Sequence, residues 1–155
     1  QMYKGEANWK PIAEVKNNPR MFIPVFGNGD VNSPEKAKIM RDEYGLDGAM
    51  IGRASIGNPW FFNQVKAFLK TGETLQPPSI LERINVAKRH LEMSIKWKGD
   101  RLGILETRRH YSNYFKGIKD FKPYRTKLVT LESTKELMNL FSELEEINES
   151  LLVTV

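Results

Sequence analysis

The segment FGNGD, at residues 26–30, contains residue types that can bind an anion. Gly27 and Gly29 permit backbone conformations closed to other residues, so main-chain amides there can approach a ligand closely. Asn28 adds a side-chain amide that can donate hydrogen bonds. A helix predicted to begin at Pro34 would point its positive end toward the same loop. The segment therefore has the composition of a phosphate-binding loop.

A second segment of this kind, IGR at residues 51–53, follows one βα unit later. Gly52 again opens the backbone, and Arg53 carries a planar guanidinium that can bind phosphate with two parallel hydrogen bonds. Either segment alone is also compatible with a simple turn between a strand and a helix. Two such loops after consecutive strands are typical of the phosphate site of a TIM barrel. The pair therefore favours phosphate binding.

The residues around these loops alternate between strand and helix patterns up to about Thr71. We predict an amphipathic turn at 12–15, strands at 22–26 and 49–51, and helices at 34–44 and 59–69. Ser33 is a good N-cap, and Gly45 and Gly72 stand where helices would end. Alternation with short loops implies a parallel sheet. Two parallel strands need covered faces and paired edges, so we expect either that the chain is a piece of a larger protein or that another copy or another chain completes the sheet.

From the segment TLQPPS, at residues 74–79, the apolar residues recur at helical spacing and no strand pattern remains. We predict helices at 79–97, 101–116, 123–130 and 133–150. Trp60 and Trp97 are expected to pack at helix ends. The second half is therefore predicted to be all-helical.

The charge is uneven along the chain, although the net charge is only +5. Residues 79–130 contain 13 Lys and Arg residues against 5 Asp and Glu residues, whereas residues 131–155 contain 1 against 6. Such a basic block suggests a polyanionic partner. The alternative is that long helices simply expose lysine and arginine to water.

Several classes of site are excluded by composition and spacing. The sequence has no cysteine, which rules out disulfides, thiolate metal sites and cysteine nucleophiles within it. His90 has no second histidine or carboxylate at metal-ligand spacing, and the glutamates of the last helix fit a solvated face. We predict no catalytic residue and no metal site. The apolar runs are too short to cross a bilayer and no signal peptide is evident, so we expect a cytoplasmic protein without a membrane partner.

Four segments resemble the C-terminal half of the tRNA-dihydrouridine synthases, especially their bacterial B-type branch. They read QMYKGEANW (1–9), PVFGNGDV (24–31), DGAMIGRASIGNPWFF (47–62) and TRRHYSNYFKG (107–117). The resemblance implies the last βα units of a flavin-binding TIM barrel at 1–74, followed by a helical-bundle tRNA-binding domain at 75–155. It also implies which residues hold the FMN phosphate: Asn28, Gly29 and Asp30 after one strand, and Gly52 and Arg53 after the next.

The resemblance further implies a reaction. In this family, reduced FMN delivers a hydride to C6 of a uracil in tRNA, a cysteine protonates C5, and NADPH reduces the flavin again. The family's catalytic cysteine, flavin-contacting lysine and histidine-arginine motif belong to the first six strands, which precede the matched segments. We therefore expect a C-terminal fragment that is inactive alone, binds FMN weakly or not at all, and either self-associates or pairs with the missing half of the barrel.

Basic and aromatic residues alternate in the segment TRRHYSNYFKGIKDFKPYRTK, at residues 107–127. Basic groups neutralise phosphates, and aromatic or guanidinium planes can stack on exposed bases. Tyr111, Tyr114 and Phe115 lie three and four residues apart, which favours a place in the core. The expected RNA contacts are Arg108, Arg109, Lys116 and Arg125.

Two other functions stay open. The helical half could be a free-standing RNA-binding module without catalysis, or the chain could be a small phosphate-binding or flavin-binding protein with an unrelated role. Flavin absorbance after purification distinguishes the first of these from the second. Steep dependence of tRNA affinity on salt distinguishes an RNA-binding protein from a flavin carrier.

Overall fold

The computed structural model describes the backbone of residues 4–152 and the side chains of residues 4–147. The chain divides into two compact units, Gln1–Gln76 and Pro77–Val155. The division falls within the TLQPPS segment. The first three residues of the QMYKGEANW segment lie outside the described residues.

The first unit alternates helices with two short strands. Its elements are α1 (Lys10–Lys16), β1 (Phe26–Asn28), α2 (Pro34–Asp42), β2 (Gly48–Met50), a 3-10 turn (Arg53–Ser55) and α3 (Phe61–Thr71). The strands pair in parallel, with Phe26 opposite Gly48 and Asn28 opposite Met50. The helix α2 connects them, so the parallel βα arrangement predicted from the alternating pattern is present.

Local signals in the sequence set the ends of the helices. The Ser33 hydroxyl accepts a hydrogen bond from the Lys36 amide at 3.3 Å, and Pro34 occupies the first helical position of α2. Gly72 ends α3 with a φ of 77°, which is the left-handed conformation that glycine adopts without strain. These caps lie where the sequence predicts them.

The strand β1 lies further along the chain than the predicted strand at 22–26. Pro24 has no amide hydrogen to contribute to a strand pair. The Val25 amide donates to the Asp47 carboxylate at 2.7 Å instead of to a neighbouring strand. Regular pairing therefore begins only at Phe26. The strand β2 differs in the opposite direction, because it begins at Gly48, one residue before the predicted 49–51.

An apolar patch flanks the two strands. Phe22 is 90% exposed, Ile23 69%, Phe26 62% and Met50 58%. The sequence predicts such a patch because the strands lack neighbours; the predicted members include Phe22, Ile23 and Met50 but not Phe26, and they also include Val25, Ala49 and Ile51. Those three pack partly against the core of the unit, whose buried residues are Trp9, Val31, Ala37, Met40, Leu46, Phe61 and Val65.

Within the described residues, the second unit contains helices and no strand. They are α4 (Ile80–Tyr114), α5 (Lys122–Thr130) and α6 (Thr134–Leu152). The helix α4 is broken at Gly99, where φ is 78° and ψ is 166°. The break agrees with the two separate helices predicted at 79–97 and 101–116.

The two arms of α4 fold back on each other as an antiparallel pair, which we call the α4 hairpin (residues 80–114). The rings of His90 and His110 lie 4.6 Å apart, and Lys98 forms an ion pair with Glu106 nearer the turn. Gly103 lies directly against the opposite arm. A Cβ added there would be 2.7 Å from both Cα and N of Ile95, so the close approach of the arms requires glycine at this position.

The α4 hairpin packs with α5 and α6 around an aromatic core. Tyr111, Phe115 and Phe141 are fully buried, and Tyr114 is 3% exposed. The prediction that Tyr111, Tyr114 and Phe115 belong to the core is therefore confirmed. The prediction that Trp97 packs at a helix end was wrong, because its side chain is 80% exposed. Gly99 reverses the chain two residues later, so no further helical turn follows to cover the indole.

None of the helices in residues 4–152 has a stretch that is long enough and apolar enough to cross a bilayer.

Candidate functional site

A cleft of about 820 Å³ lies where β1 and β2 end. Neighbouring parallel strands deliver their carboxyl ends to the same edge of a sheet, so the loops that follow them meet there. Both glycine-containing loops line this cleft. The five residues predicted to hold a phosphate are all among its lining residues: Asn28, Gly29, Asp30, Gly52 and Arg53.

Asp30 connects the two loops. One carboxylate oxygen, Oδ1, accepts a hydrogen bond from Arg53 Nη2 at 2.6 Å, and Oδ2 accepts from the Ala7 amide at 2.8 Å. The backbone φ of Asp30 is 51°, a conformation that aspartate adopts more readily than most residues. The Arg53 side chain is 61% exposed, so this ion pair adds little to stability. The pair joins two residues that both line the cleft.

The segment before α1 supports the first loop. The indole Nε1 of Trp9 donates to the Gly29 carbonyl at 2.9 Å, and Trp9 is almost fully buried. Gly29 has a φ of 116°, and a Cβ added there would lie 2.5 Å from the Cβ of Ala7. Only glycine therefore fits between this segment and the cleft.

Sequence reasoning missed Lys4 as a member of the site. Lys4 is exposed and lines the same cleft as Arg53, which adds a second cation to its wall. Lys4 belongs to the QMYKGEANW segment, which is one of the four segments that resemble the family. Its distance along the chain from residues 28–30 gave no reason to place it beside them. The hydrogen bonds of Ala7 and Trp9 bring that segment to the loop.

The cleft has the space and the donors for a phosphate. A Cβ added to Gly52 would meet no atom within 4 Å, so the volume beside that backbone is open. Arg53 and Lys4 supply cations, and the Asn28 side chain is exposed at the end of β1. An anion seated beside Gly52 would therefore find a guanidinium, an ammonium and an amide within one cleft. The residues present fit the phosphate of a nucleotide-like cofactor.

The four predicted RNA contacts differ in accessibility. Arg108 is only 22% exposed, and its Nη2 donates to the Leu131 carbonyl at 3.0 Å, which holds the end of α5 against α4. Arg109, Lys116 and Arg125 are exposed. The Lys116 carbonyl accepts from Arg83 Nη2 at 2.7 Å, so the backbone that carries this lysine is fixed to the first arm of the hairpin.

The two histidines of the chain lie together between the arms of the α4 hairpin. His90 Nδ1 lies 3.1 Å from the Tyr114 hydroxyl. Burial lowers the pKa of His110 to about 4, and the charges of His90 and Arg109 act in the same direction. Burial also lowers the pKa of His90, with further contributions from Arg109 and Lys98. Both rings are therefore neutral at pH 7.

This pair predicts a loss of stability on acidification. An unfolded histidine binds a proton below its ordinary pKa of 6.5, whereas folded His110 resists protonation until about pH 4. The contribution of neutral His110 to the stability of the folded state is therefore complete above pH 6.5 and is lost as the pH falls toward 4. We expect thermal unfolding of the chain at a lower temperature at pH 5 than at pH 7. In His110→Gln the unfolding temperature should fall less between pH 7 and pH 5. If it falls as much as in the unaltered chain, this role of His110 is contradicted.

Among the described side chains, those of residues 4–147, no group of three from histidine, aspartate or glutamate is arranged to hold a metal ion.

The chain thus combines a parallel βα unit, which has a cleft with anion-binding side chains at its strand ends, with a basic helical unit. The family model described as dihydrouridine synthase matches residues 1–151. The chain therefore belongs to the dihydrouridine synthase family, in its B-type branch. This family implies a TIM-barrel fold.

Three relatives illustrate the similarity. The tRNA-dihydrouridine synthase B of Pseudomonas putida is 37% identical over 134 residues, which cover 86% of this chain and 39% of the relative. A probable tRNA-dihydrouridine synthase 1 of Synechocystis is 36% identical and covers 92% and 39%, respectively. A probable tRNA-dihydrouridine synthase of Rickettsia conorii is 36% identical and covers 81% and 37%. The chain thus spans less than half the length of these relatives.

Proposed function

We propose that this chain supplies part of the FMN phosphate site and the tRNA-binding surface of a tRNA-dihydrouridine synthase, an oxidoreductase that reduces uridine to dihydrouridine in tRNA. The observation that carries the proposal is the cleft at the ends of β1 and β2, where the two loops meet beside open space at Gly52. The names of the relatives support the reaction.

The residues of the cleft would bind the phosphate end of FMN. Arg53, oriented by the Asp30 carboxylate, would donate to the phosphate oxygens, and Lys4 would balance the remaining charge. Asn28 and the backbone amides beside Gly29 and Gly52 would complete the shell of donors. When bound, reduced FMN would supply the hydride for the uracil ring, with NADPH as its reductant. The catalytic cysteine would come from outside this sequence, which contains none.

The apolar patch at the two strands supports a partner for the first unit. A parallel sheet is stable when its faces are covered and its edges are paired, yet Phe22, Ile23, Phe26 and Met50 are all more than half exposed. The remaining strands of a TIM barrel, or a second copy of the chain, would cover this patch. We therefore propose that the chain pairs with the rest of the barrel or self-associates.

The second unit would bind tRNA through its basic surface. Arg109, Lys116 and Arg125 are exposed and available for phosphate contacts. We propose that Arg108, the fourth predicted contact, also binds tRNA. It has a structural role as well, because it donates to the Leu131 carbonyl at the end of α5. Substitutions at Arg108 would therefore combine two effects, and the other three residues provide the cleaner test.

Removal of these three cations provides the test of RNA binding. We expect the combined variant Arg109→Ala, Lys116→Ala and Arg125→Ala to bind tRNA more weakly and with a smaller dependence on salt. For every phosphate that the variant no longer neutralises, the slope of log K against log salt should fall by about 1. Affinity measured over a series of salt concentrations checks this.

Lys135→Ala is the matched control for that triple variant. Lys135 is exposed in the same unit but lies in the acidic segment near the start of α6. Its removal should leave both the affinity and the slope unchanged. If the triple variant retains the affinity and slope of the unaltered chain, the basic surface does not bind tRNA.

A free-standing RNA-binding module is the second candidate function. The second unit has its own buried core, which includes Tyr111, Phe115 and Phe141, and this favours folding without the first unit. Flavin content separates the two proposals. Retention of FMN by the chain together with the rest of a barrel supports the synthase, whereas tRNA binding with no flavin under those conditions supports the module.

A further inference from the structure

We propose that Trp97 is a base-stacking contact for tRNA, an inference that rests on the proposed function. Trp97 is 80% exposed, and among the large apolar side chains of residues 4–147 only Phe22 is more exposed. Phe22 belongs to the patch at the unfinished sheet, whereas Trp97 stands in the basic helical unit. An indole with so much of its area exposed on a folded surface is uncommon, because this side chain normally buries most of its area.

The α4 hairpin holds Trp97 on a rigid support. Trp97 lies two residues before the turn at Gly99, in the last part of the first arm. Gly103 brings the second arm against the backbone of Ile95, and the Lys98–Glu106 ion pair joins the arms at the level of the turn. The backbone that carries the indole is therefore already ordered, and it loses little conformational freedom when a base stacks on the ring.

The charges around Trp97 favour a nucleic acid as the occupant. In the segment KWKGDR, at residues 96–101, the cations Lys96, Lys98 and Arg101 are neighbours of Trp97 in sequence and are exposed, and Lys98 is paired with Glu106. Asp100 is the one acidic residue of this segment. Cations beside an exposed aromatic ring bind single-stranded or unstacked nucleotides, in which the phosphates meet the cations and a base stacks on the ring.

A second copy of the chain is the main competing occupant. Met93 lies one helical turn before Trp97 and is 50% exposed, so the two could form a small apolar contact between proteins. Lys96 and Arg101 would repel the same surface of another copy in a symmetric dimer, where each patch meets itself, whereas the charge of Lys98 is compensated by Glu106. The charge therefore favours RNA, and the oligomeric state of the variants decides between the two.

Substitution of Trp97 tests the stacking contact in the whole chain. Loss of one stacked base typically weakens binding by about 5- to 150-fold, so we expect a change within that range for Trp97→Ala. Trp97→Phe retains an aromatic plane and should lose less. Because stacking releases no counterions, the salt dependence of binding should be the same in all three proteins. This last result separates stacking from loss of a phosphate contact.

Met93→Ala is the matched control, because it removes exposed apolar area from the same arm without removing a ring. Its tRNA affinity should equal that of the unaltered chain. Fluorescence gives an independent measurement, since Trp9 is nearly buried and Trp60 is half-buried. Quenching by acrylamide should therefore come mainly from Trp97, and bound tRNA should protect it.

The outcomes separate the inference from the proposed function. If the unaltered chain does not bind tRNA, the proposed function fails. If it binds and Trp97→Ala binds equally well, stacking by Trp97 is refuted while tRNA binding stands. If light scattering finds a dimer that Trp97→Ala converts to a monomer, the surface is a protein interface and the inference is overturned.

Discussion

Replacing Gly103 by valine is expected to open the α4 hairpin and to lower the stability of the second unit severely. A Cβ at this position would lie 2.7 Å from the Cα and N atoms of Ile95, and backbone cannot rotate away as a side chain can. Loss of glycine from a helix would by itself stabilise by up to about 1 kcal/mol. Overpacking of a tight contact costs about 1–3 kcal/mol or more, so the clash outweighs the gain in helix propensity.

Urea unfolding followed by circular dichroism measures this effect. The unfolding midpoint should fall for Gly103→Ala and fall further for Gly103→Val, with loss of tRNA affinity in proportion to the unfolded fraction. Leu102→Val is the control, because Leu102 is the adjacent residue, is 54% exposed and receives the same β-branched side chain. Its effect should stay within about 0.5 kcal/mol. Equal losses at the two positions would show that the contact with Ile95 is unimportant.

The second large effect is expected for Arg53→Ala, in flavin binding rather than in stability. A hydrogen bond to a charged group contributes about 1.5–3 kcal/mol. Each 1.4 kcal/mol of binding free energy changes Kd by about a factor of ten. The Kd with which the whole synthase binds FMN should therefore rise about 10- to 100-fold. Arg53→Lys retains the charge but not the planar fork, so we expect an intermediate loss. Affinity for tRNA should change little, since the proposed tRNA contacts belong to the other unit.

Flavin titration and tRNA binding on the same preparations check this division of roles. Arg20→Ala is the control, because Arg20 is an exposed arginine of the first unit outside the cleft. It removes the same charge and should leave the FMN Kd unchanged. If Arg53→Ala weakens FMN and tRNA binding equally, the two units do not divide the functions as proposed. If it leaves FMN binding intact, the cleft does not hold the phosphate.

The sequence was informative wherever structure depends on neighbouring residues. The apolar spacing predicted separate helices at 79–97 and 101–116, on either side of the observed break at Gly99, and Ser33 with Pro34 predicted the start of α2. The two glycine-containing loops could be brought together from sequence because parallel strands joined by a helix must end at the same edge. In each case the controlling interaction is local or follows from the chirality and direction of a βα unit.

The sequence was less informative about the partner of each side chain. Arg108 and Arg109 are adjacent and chemically identical, yet one holds the Leu131 carbonyl and the other is exposed. Helical geometry turns successive residues by about 100°, so adjacent side chains face different surroundings. Which of the two faces α5 depends on how the helices pack, and the arginine pair itself carries no signal of that choice.

The sequence by itself determined the family, the alternation of strands and helices in the first half, and the two loops that meet at the cleft. Only the tertiary structure decided that Lys4 joins this cleft, that Asp30 orients Arg53, and that Trp97 is exposed. The reason is physical: turns, caps and helix breaks depend on the conformational energies of a few consecutive residues. Burial and pairing depend instead on which distant segments come into contact, and each such contact is settled by the packing of a whole unit.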